Sequence, residues 1–257
     1  MVDLSKPWPL GLGEKLWWRS VLAALILLAV ALPFDHQISV WAMGFPDPIR
    51  GALAEITPYG ESDWILWPAA ALFLVTAAVA LFMKWRLMRT LLWQFTALYA
   101  FIFCGVGLPS LVSTLAKRVI GRGRPDRFAD GGTLNFHWNW LDWTYQSFPS
   151  GHTTTAFALA AVIGFASPRW FYPGLALAAV IGASRMTAGA HYPTDVIGGA
   201  LLGLVGAYAV RWAFARRGWL FDTDAAGRIE MRPMSSLKRY IAIKRRSSVA
   251  APQPDHP

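Results

Sequence analysis

The first residues whose types and spacing could do chemistry follow a long apolar run. Lys117 and Arg124 are seven positions apart, and Gly121 between them allows a bend that brings both cations onto one anion. Pro125 stops a helical path and fixes the direction of the chain after Arg124. A guanidinium suits bidentate contact with phosphate, and an ammonium adds a point charge. The stretch is a candidate anion site, although a basic flank beside a membrane helix has the same composition.

A second candidate stretch ends in Pro149, Ser150, Gly151 and His152, directly before another apolar run. A Ser-Gly pair at a helix N-terminus leaves backbone N–H groups free, and the helix dipole favours an anion there. Gly151 allows a ligand to approach the backbone closely. His152 would then lie in the first turn, beside the bound group. The alternative is a capped helix start with an incidental histidine.

The third stretch contains Ser184, Arg185, His191 and Asp195. His191 and Asp195 are four positions apart, so they share one face if the turn is helical. A carboxylate bound to one imidazole nitrogen fixes the tautomer and leaves the other nitrogen as nucleophile or base. A carboxylate near the start of an otherwise apolar helix needs a partner, because burying it alone is costly. The alternative is a helix cap with a surface histidine.

The composition places these stretches in a membrane protein. The 257 residues are 55% hydrophobic and 15% charged, and the mean hydropathy is +0.36. Ordinary soluble domains carry about 25% charged residues, and disordered chains are far less apolar. The single cysteine, Cys104, excludes an intramolecular disulfide framework and a zinc site with several thiolates.

Apolar runs predict the elements that must position the three stretches. A helix needs about 20 apolar residues to cross a bilayer core of about 30 Å. We predict an all-α integral membrane bundle of six transmembrane helices. Bases precede the first run and Ala29-Val30-Ala31 fits a cleavage site, so a signal peptide is the alternative for that run alone. The runs cover residues 16–32, 64–83, 90–116, 153–167, 170–184 and 196–210.

The positions of Lys and Arg predict the orientation. Bases concentrate before the first run, between the second and third runs, and after the last, so both termini are expected in the cytoplasm. We divide the chain into a six-helix membrane domain, 1–217, and a basic cytoplasmic tail, 218–257, with a disordered end and a possible hairpin between 220 and 233. One outer loop breaks the charge rule, and a bound anion would explain it. Its bases are Lys117, Arg118, Arg122, Arg124 and Arg127.

Taken together, the three stretches read Lys-x6-Arg-Pro, Pro-Ser-Gly-His and Ser-Arg-x5-His-x3-Asp, in that order. The chain thereby resembles the type 2 phosphatidic acid phosphatase superfamily, in its membrane lipid phosphatase branch, over about residues 64–217. The resemblance implies metal-independent phosphoryl transfer through a phosphohistidine. It makes His191 the nucleophile, Asp195 its orienting carboxylate, and His152 the acid and then the base. The phosphate-binding residues would be Lys117, Arg124, Ser150, Gly151 and Arg185.

The expected function is that of a lipid phosphatase at the outer (periplasmic or extracytoplasmic) face of the plasma (inner) membrane. The substrate would be a lipid mono- or pyrophosphate that enters from the bilayer. Undecaprenyl pyrophosphate is favoured; phosphatidylglycerol phosphate, phosphatidic acid and a lipid A phosphate are the alternatives. No cofactor, metal or nucleic acid is expected, and the oligomeric state stays open. A vanadium-dependent haloperoxidase and a non-enzymatic lipid binder are the remote alternatives.

Overall fold

The computed structural model describes residues 2–138, 140–233 and 241, and most of them are helical. Each of the six predicted apolar runs forms a helix. Two further helices lie between the first and second apolar runs, a loop predicted to be on the outer side, where the sequence predicted none. The helices in chain order are α1 (Trp17–Ala31), α2 (Asp35–Met43), α3 (Asp47–Ile56), α4 (Asp63–Phe82), α5 (Arg86–Ile120), α6 (Gly151–Ala166), α7 (Phe171–Thr187) and α8 (Pro193–Arg216).

Four stretches are long and apolar enough to cross a membrane: 17–43, 47–82, 86–120 and 193–216. The helices α6 and α7 have 16 and 17 residues and fall short of the roughly 20 that a crossing needs. Most side chains of α6 are buried, because α5, α7 and α8 pack around it. By contrast, α1 buries none of its residues and exposes large apolar ones such as Leu25 and Val30. Six crossings therefore stay a prediction.

Two glycines bring α8 very close to α6. A Cβ atom on Gly199 would lie 2.5 Å from the carbonyl oxygen of Ser150, and one on Gly203 would lie 2.4 Å from that of Thr154. Glycines four apart allow two helix backbones to approach in this way. Beside this contact, the backbone N–H of Ser150 donates to the carbonyl oxygen of Asp195 at 3.0 Å. The second and third candidate stretches are thus held against each other by the backbone.

The opposite end of the bundle joins the N-terminal segment to the residues after α8. The buried guanidinium of Arg211 donates to the carbonyl oxygens of Leu4 and Lys6. The hairpin suggested between 220 and 233 is present, with β1 (Phe221–Thr223) antiparallel to β2 (Ile229–Met231).

This hairpin packs onto the helices. The ring of Phe221 is buried 4.8 Å from the ring of Phe101 in α5, and the backbone N–H of Ile229 donates to Ser5. The division at residue 217 stays a prediction. The expected disordered end of the tail lies outside the described residues.

Candidate active site

The three stretches meet at the end of the bundle away from the hairpin. Lys117 lies in the last turn of α5, which ends at Gly121 in the left-handed conformation with φ of 66°. Gly151 is the first residue of α6. A Cβ atom on Gly151 would lie 3.0 Å from Nζ of Lys117, so the ammonium rests against the start of α6. The end of α5 and the start of α6 are thus in contact, and the chain bends directly after α5.

Three cations converge here without a carboxylate partner. Among the described residues, no carboxylate oxygen lies within 4.0 Å of Lys117, Arg124 or Arg185. The Nε atoms of both arginines are buried and have no hydrogen-bond partner in that part of the chain. The three charges act on one another and on His152, and the two arginines also act on His191. Burial lowers the pKa of Arg124 below its usual value. Such a cluster is stabilised by binding an anion.

The start of α6 combines a cap with a free donor. Ser150 is fully buried, and its Oγ accepts a hydrogen bond from the hydroxyl of Thr153 at 2.9 Å. Its own hydroxyl hydrogen is therefore left for another acceptor. His152 follows with Nε2 4.0 Å from a carboxylate oxygen of Glu61, a residue that the sequence analysis did not single out. The start of α6 is thus capped and still offers a hydroxyl donor, so the cap does not exclude the predicted anion site.

The imidazole of His191 is 2% exposed and lies just before α8. Its Nδ1 is 3.7 Å from Oδ2 of Asp195, which is longer than a hydrogen bond, and has no hydrogen-bond partner among the described residues. Burial lowers the pKa of His191, while Asp195 opposes that shift. The predicted pair is brought together, but through the turn that begins α8, not through one helical face. The carboxylate of Asp195 thus lies on the Nδ1 side of the imidazole.

The carboxylate of Asp195 has several partners. Its Oδ1 accepts from Nη1 of Arg122 at 2.5 Å. Its Oδ2 accepts from the hydroxyl of Ser147 at 2.5 Å and from the backbone N–H of Tyr192 at 2.8 Å. Arg122 also donates from Nη2 to Oδ2 of Asp35 at 2.7 Å. The expectation that Asp195 needs a partner is correct, although the sequence indicated none of Arg122, Ser147 and Tyr192 as that partner.

Comparison with known proteins identifies the family. The family model of the PAP2 superfamily matches residues 98–219. A lipid A 1-phosphatase of Rhizobium johnstonii is 32% identical over 223 residues, which cover 84% of this chain and 89% of that protein. A lipid A 1-phosphatase of Rhizobium etli is 35% identical over 218 residues, covering 82% and 90%. The chain belongs to the PAP2 superfamily.

The PAP2 fold is also recognised in a solved structure. The crystal structure of a transmembrane PAP2 type phosphatidylglycerolphosphate phosphatase from Bacillus subtilis matches with a TM-score of 0.50 and 24% identity, over 77% of this chain and 94% of that one. The protein is accordingly an integral membrane lipid phosphatase, and thus a hydrolase. The haloperoxidase and the non-enzymatic lipid binder are set aside.

Arg122, one of the bases in the loop after α5, is not a free positive charge at the PAP2 site. Arg122 was grouped with the bases whose excess a bound anion would explain. It is 3% exposed and pairs with Asp35 and Asp195 instead, so that both carboxylates raise its pKa against the lowering effect of burial. No sequence spacing signals this pairing, because Asp35 is 87 residues from Arg122.

An aromatic ring lies beside one of the three cations. The ring of Trp143 is 4.8 Å from the guanidinium of Arg124 and is 59% exposed. Trp143 therefore lies at the edge of the PAP2 site, next to Arg124 and partly exposed. For metals, the part of the chain that the structure describes holds no group of three or more His, Cys, Asp or Glu side chains suited to a metal ion.

Proposed function

We propose that the protein removes the phosphate at position 1 of lipid A, through a phosphohistidine on His191. The observation that carries the reaction is the buried imidazole of His191 near Arg124 and Arg185, two arginines whose Nε atoms have no hydrogen-bond partner among the described residues. The choice of lipid rests on the two lipid A 1-phosphatases, because each aligns with this chain over about nine tenths of its own length. Undecaprenyl pyrophosphate, favoured by the sequence analysis, becomes the main competing substrate.

The proposed orientation puts the site in the periplasm. All six apolar helices cross the bilayer in this proposal, with α6 and α7 sheltered by their neighbours. Arg211, the N-terminal segment and the hairpin lie at the end away from His191. The bases that flank this end favour the cytoplasm. The phosphate then enters the cationic pocket from the outer leaflet while the acyl chains stay in lipid.

The reaction proceeds in two displacements at phosphorus. Lys117, Arg124 and Arg185 hold the phosphate oxygens, together with the hydroxyl of Ser150 and the N–H of Gly151. Nε2 of His191 attacks phosphorus. The bond from phosphorus to the lipid oxygen breaks, and that oxygen takes a proton from His152.

In the second displacement, His152 removes a proton from water, and the resulting hydroxide attacks the phosphohistidine. The bond from phosphorus to nitrogen breaks and inorganic phosphate leaves. Asp195 stabilises the positive charge that His191 carries while it is phosphorylated. Positioning and fixed positive charge supply most of what phosphoryl transfer requires.

A panel of purified lipids tests the substrate. The full-length protein in detergent is given 1-phosphorylated lipid A, undecaprenyl pyrophosphate, phosphatidylglycerol phosphate and phosphatidic acid, and released phosphate is measured. We expect the highest kcat/KM on lipid A, and no release by His191→Ala. A higher kcat/KM on undecaprenyl pyrophosphate would reassign the substrate. No release from any of the four would contradict a phosphatase acting on these lipids.

A further inference from the structure

A buried cluster of alternating charges connects the first outer loop to the nucleophile. It consists of Asp35, Arg122 and Asp195. Only Asp195 was assigned a role from the sequence, and Arg122 occupies an unassigned position within the first stretch. We propose that Arg122 and Asp35 are positioning residues, which hold the Asp195 carboxylate in the place that His191 requires. This inference rests on the proposed function, in which His191 is the nucleophile.

The cluster joins three parts of the chain that are distant in sequence. Asp35 is the first residue of α2, Arg122 lies in the loop after α5, and Asp195 is in the first turn of α8. The guanidinium of Arg122 bridges the two carboxylates, with Nη2 on Asp35 at 2.7 Å and Nη1 on Asp195 at 2.5 Å. Asp35 and Asp195 have no exposed surface. Buried charges of this kind depend on their partners, because water cannot replace them.

Each oxygen of Asp195 is fixed by a different donor. Arg122 holds Oδ1, while Ser147 and the N–H of Tyr192 hold Oδ2, which is the oxygen that faces His191. The carboxylate therefore cannot rotate without breaking a contact with Arg122. Loss of that contact frees Oδ1 and leaves two buried carboxylates without the cation between them.

Asp35 fixes Arg122 in turn. Its Oδ2 accepts from the hydroxyl of Thr194 at 2.5 Å, and its Oδ1 accepts from the N–H of Thr194 at 3.0 Å. The same hydroxyl accepts from Nη1 of Arg122 at 2.7 Å. The ring of Tyr192 lies 4.6 Å from the guanidinium and restricts it from one face. Asp35 is thus bound to the start of α8 and keeps the guanidinium between the two carboxylates.

A double-mutant cycle tests the positioning role. The change Asp35→Asn keeps the shape of the side chain and removes its charge. We expect kcat on the best lipid substrate to fall by about 10- to 100-fold, the range typical of groups that orient a reacting side chain. We expect KM to stay within about threefold, because the phosphate contacts are untouched. In an Asp195→Asn background, the same change should lower kcat by no more than about twofold.

The controls separate positioning from general stability. Asp47→Asn, in the same outer loop with a side chain 96% exposed, should behave as wild type. If Asp35→Asn fails to fold, Thr194→Val takes its place, because it removes one hydroxyl from the cluster at nearly constant volume. It should lower kcat by less than Asp35→Asn, again with little change in KM and little effect in the Asp195→Asn background. Arg122→Lys keeps the charge but cannot bridge both carboxylates. Its kcat should therefore lie between that of wild type and that of Arg122→Gln. Equal falls in both backgrounds, or a change confined to KM, would overturn the inference.

Binding of orthovanadate provides a measurement that needs no turnover. By calorimetry, Asp35→Asn and Asp195→Asn should each bind vanadate more weakly than wild type, and the double variant no more weakly than Asp195→Asn. If the wild type released no phosphate from any lipid yet showed this vanadate pattern, the substrate proposal would fail and the positioning role would stand. Equal vanadate affinity in Asp35→Asn and wild type would refute the positioning role, whatever the substrate.

Discussion

At the scale of single residues, the protonation of His191 determines a pH dependence. Burial lowers its pKa below the usual 6.5, so the neutral nucleophile persists into weakly acidic solution and is lost only as the pH falls through the lowered value. We expect the acid limb of kcat/KM, which reports the free enzyme, to lie below pH 6.5. Asp195 opposes the lowering, so Asp195→Asn should slow the reaction and move this limb to still lower pH. A pH–rate profile of both proteins on one substrate checks this, since ionisation of the substrate is common to both. An acid limb above pH 6.5 would argue against a neutral resting His191.

The two histidines are separated by a trapping experiment. A pyrophosphate lipid has a good leaving group, so attack by His191 depends only partly on protonation by His152. Attack by water depends on His152 as a base, which contributes typically about 10²–10⁴-fold. His152→Ala should therefore accumulate an acid-labile phosphoenzyme on radiolabelled undecaprenyl pyrophosphate, and His191→Ala should form none. Label on His191→Ala but not on His152→Ala would reverse the two roles.

Short-range pattern accounts for only part of the arrangement of the predicted site residues. His191 meets Asp195 within one turn, whereas Lys117 meets the start of α6 because α5 packs against α6. The partners of Asp195 could not be predicted in this way. In the sequence, Asp35 is one of several acids in its loop, and Arg122 is one of several bases in another loop. Only the packing of α2, α5 and α8 brings the two together.

At the scale of elements, the close packing of α6 and α8 is a sensitive point. Gly203→Ala places a Cβ atom 2.4 Å from a backbone oxygen, where no flexible side chain can yield. We expect a loss of about 1–3 kcal/mol of stability from overpacking, even though alanine favours helix over glycine by about 1 kcal/mol.

The matched control is Gly51→Ala in α3, where a Cβ atom meets nothing within 4 Å. The thermal midpoint in detergent should fall for Gly203→Ala and hold or rise for Gly51→Ala. Equal midpoints for Gly203→Ala and the wild type would mean that the two helices are less tightly packed than this contact requires.

Hydropathy predicted where the six apolar helices form. It predicted neither their exact lengths nor the two short helices α2 and α3. All six apolar runs became helices because uncharged stretches of this length have few other folds in a membrane. The helix α5 begins at Arg86 and ends at Ile120, so it extends beyond both ends of the apolar run 90–116. It continues through the basic residues that flank this run. The helices α2 and α3 have 9 and 10 residues and mixed polarity, so their formation depends on packing against α7 and α8.

At the scale of the whole molecule, the orientation can be measured with matched cysteines. In a Cys104→Ser background, Ala129→Cys places a thiol in the exposed loop near the site, and Ala225→Cys places one in the exposed turn of the hairpin. An impermeant thiol reagent outside spheroplasts should label Ala129→Cys and leave Ala225→Cys unlabelled until the membrane is opened. Labelling of Ala225→Cys alone in intact spheroplasts would place the site in the cytoplasm.

The contact of Arg211 with Leu4 and Lys6 has a consequence for biosynthesis. It joins residues 207 and 205 positions apart, so the start of the chain waits for the last helix to leave the ribosome. At about 5–20 residues per second, that delay is about 10–40 s. During this time α1, which buries none of its residues, lacks its contacts with α8. This end of the bundle therefore closes only after α8 has been made.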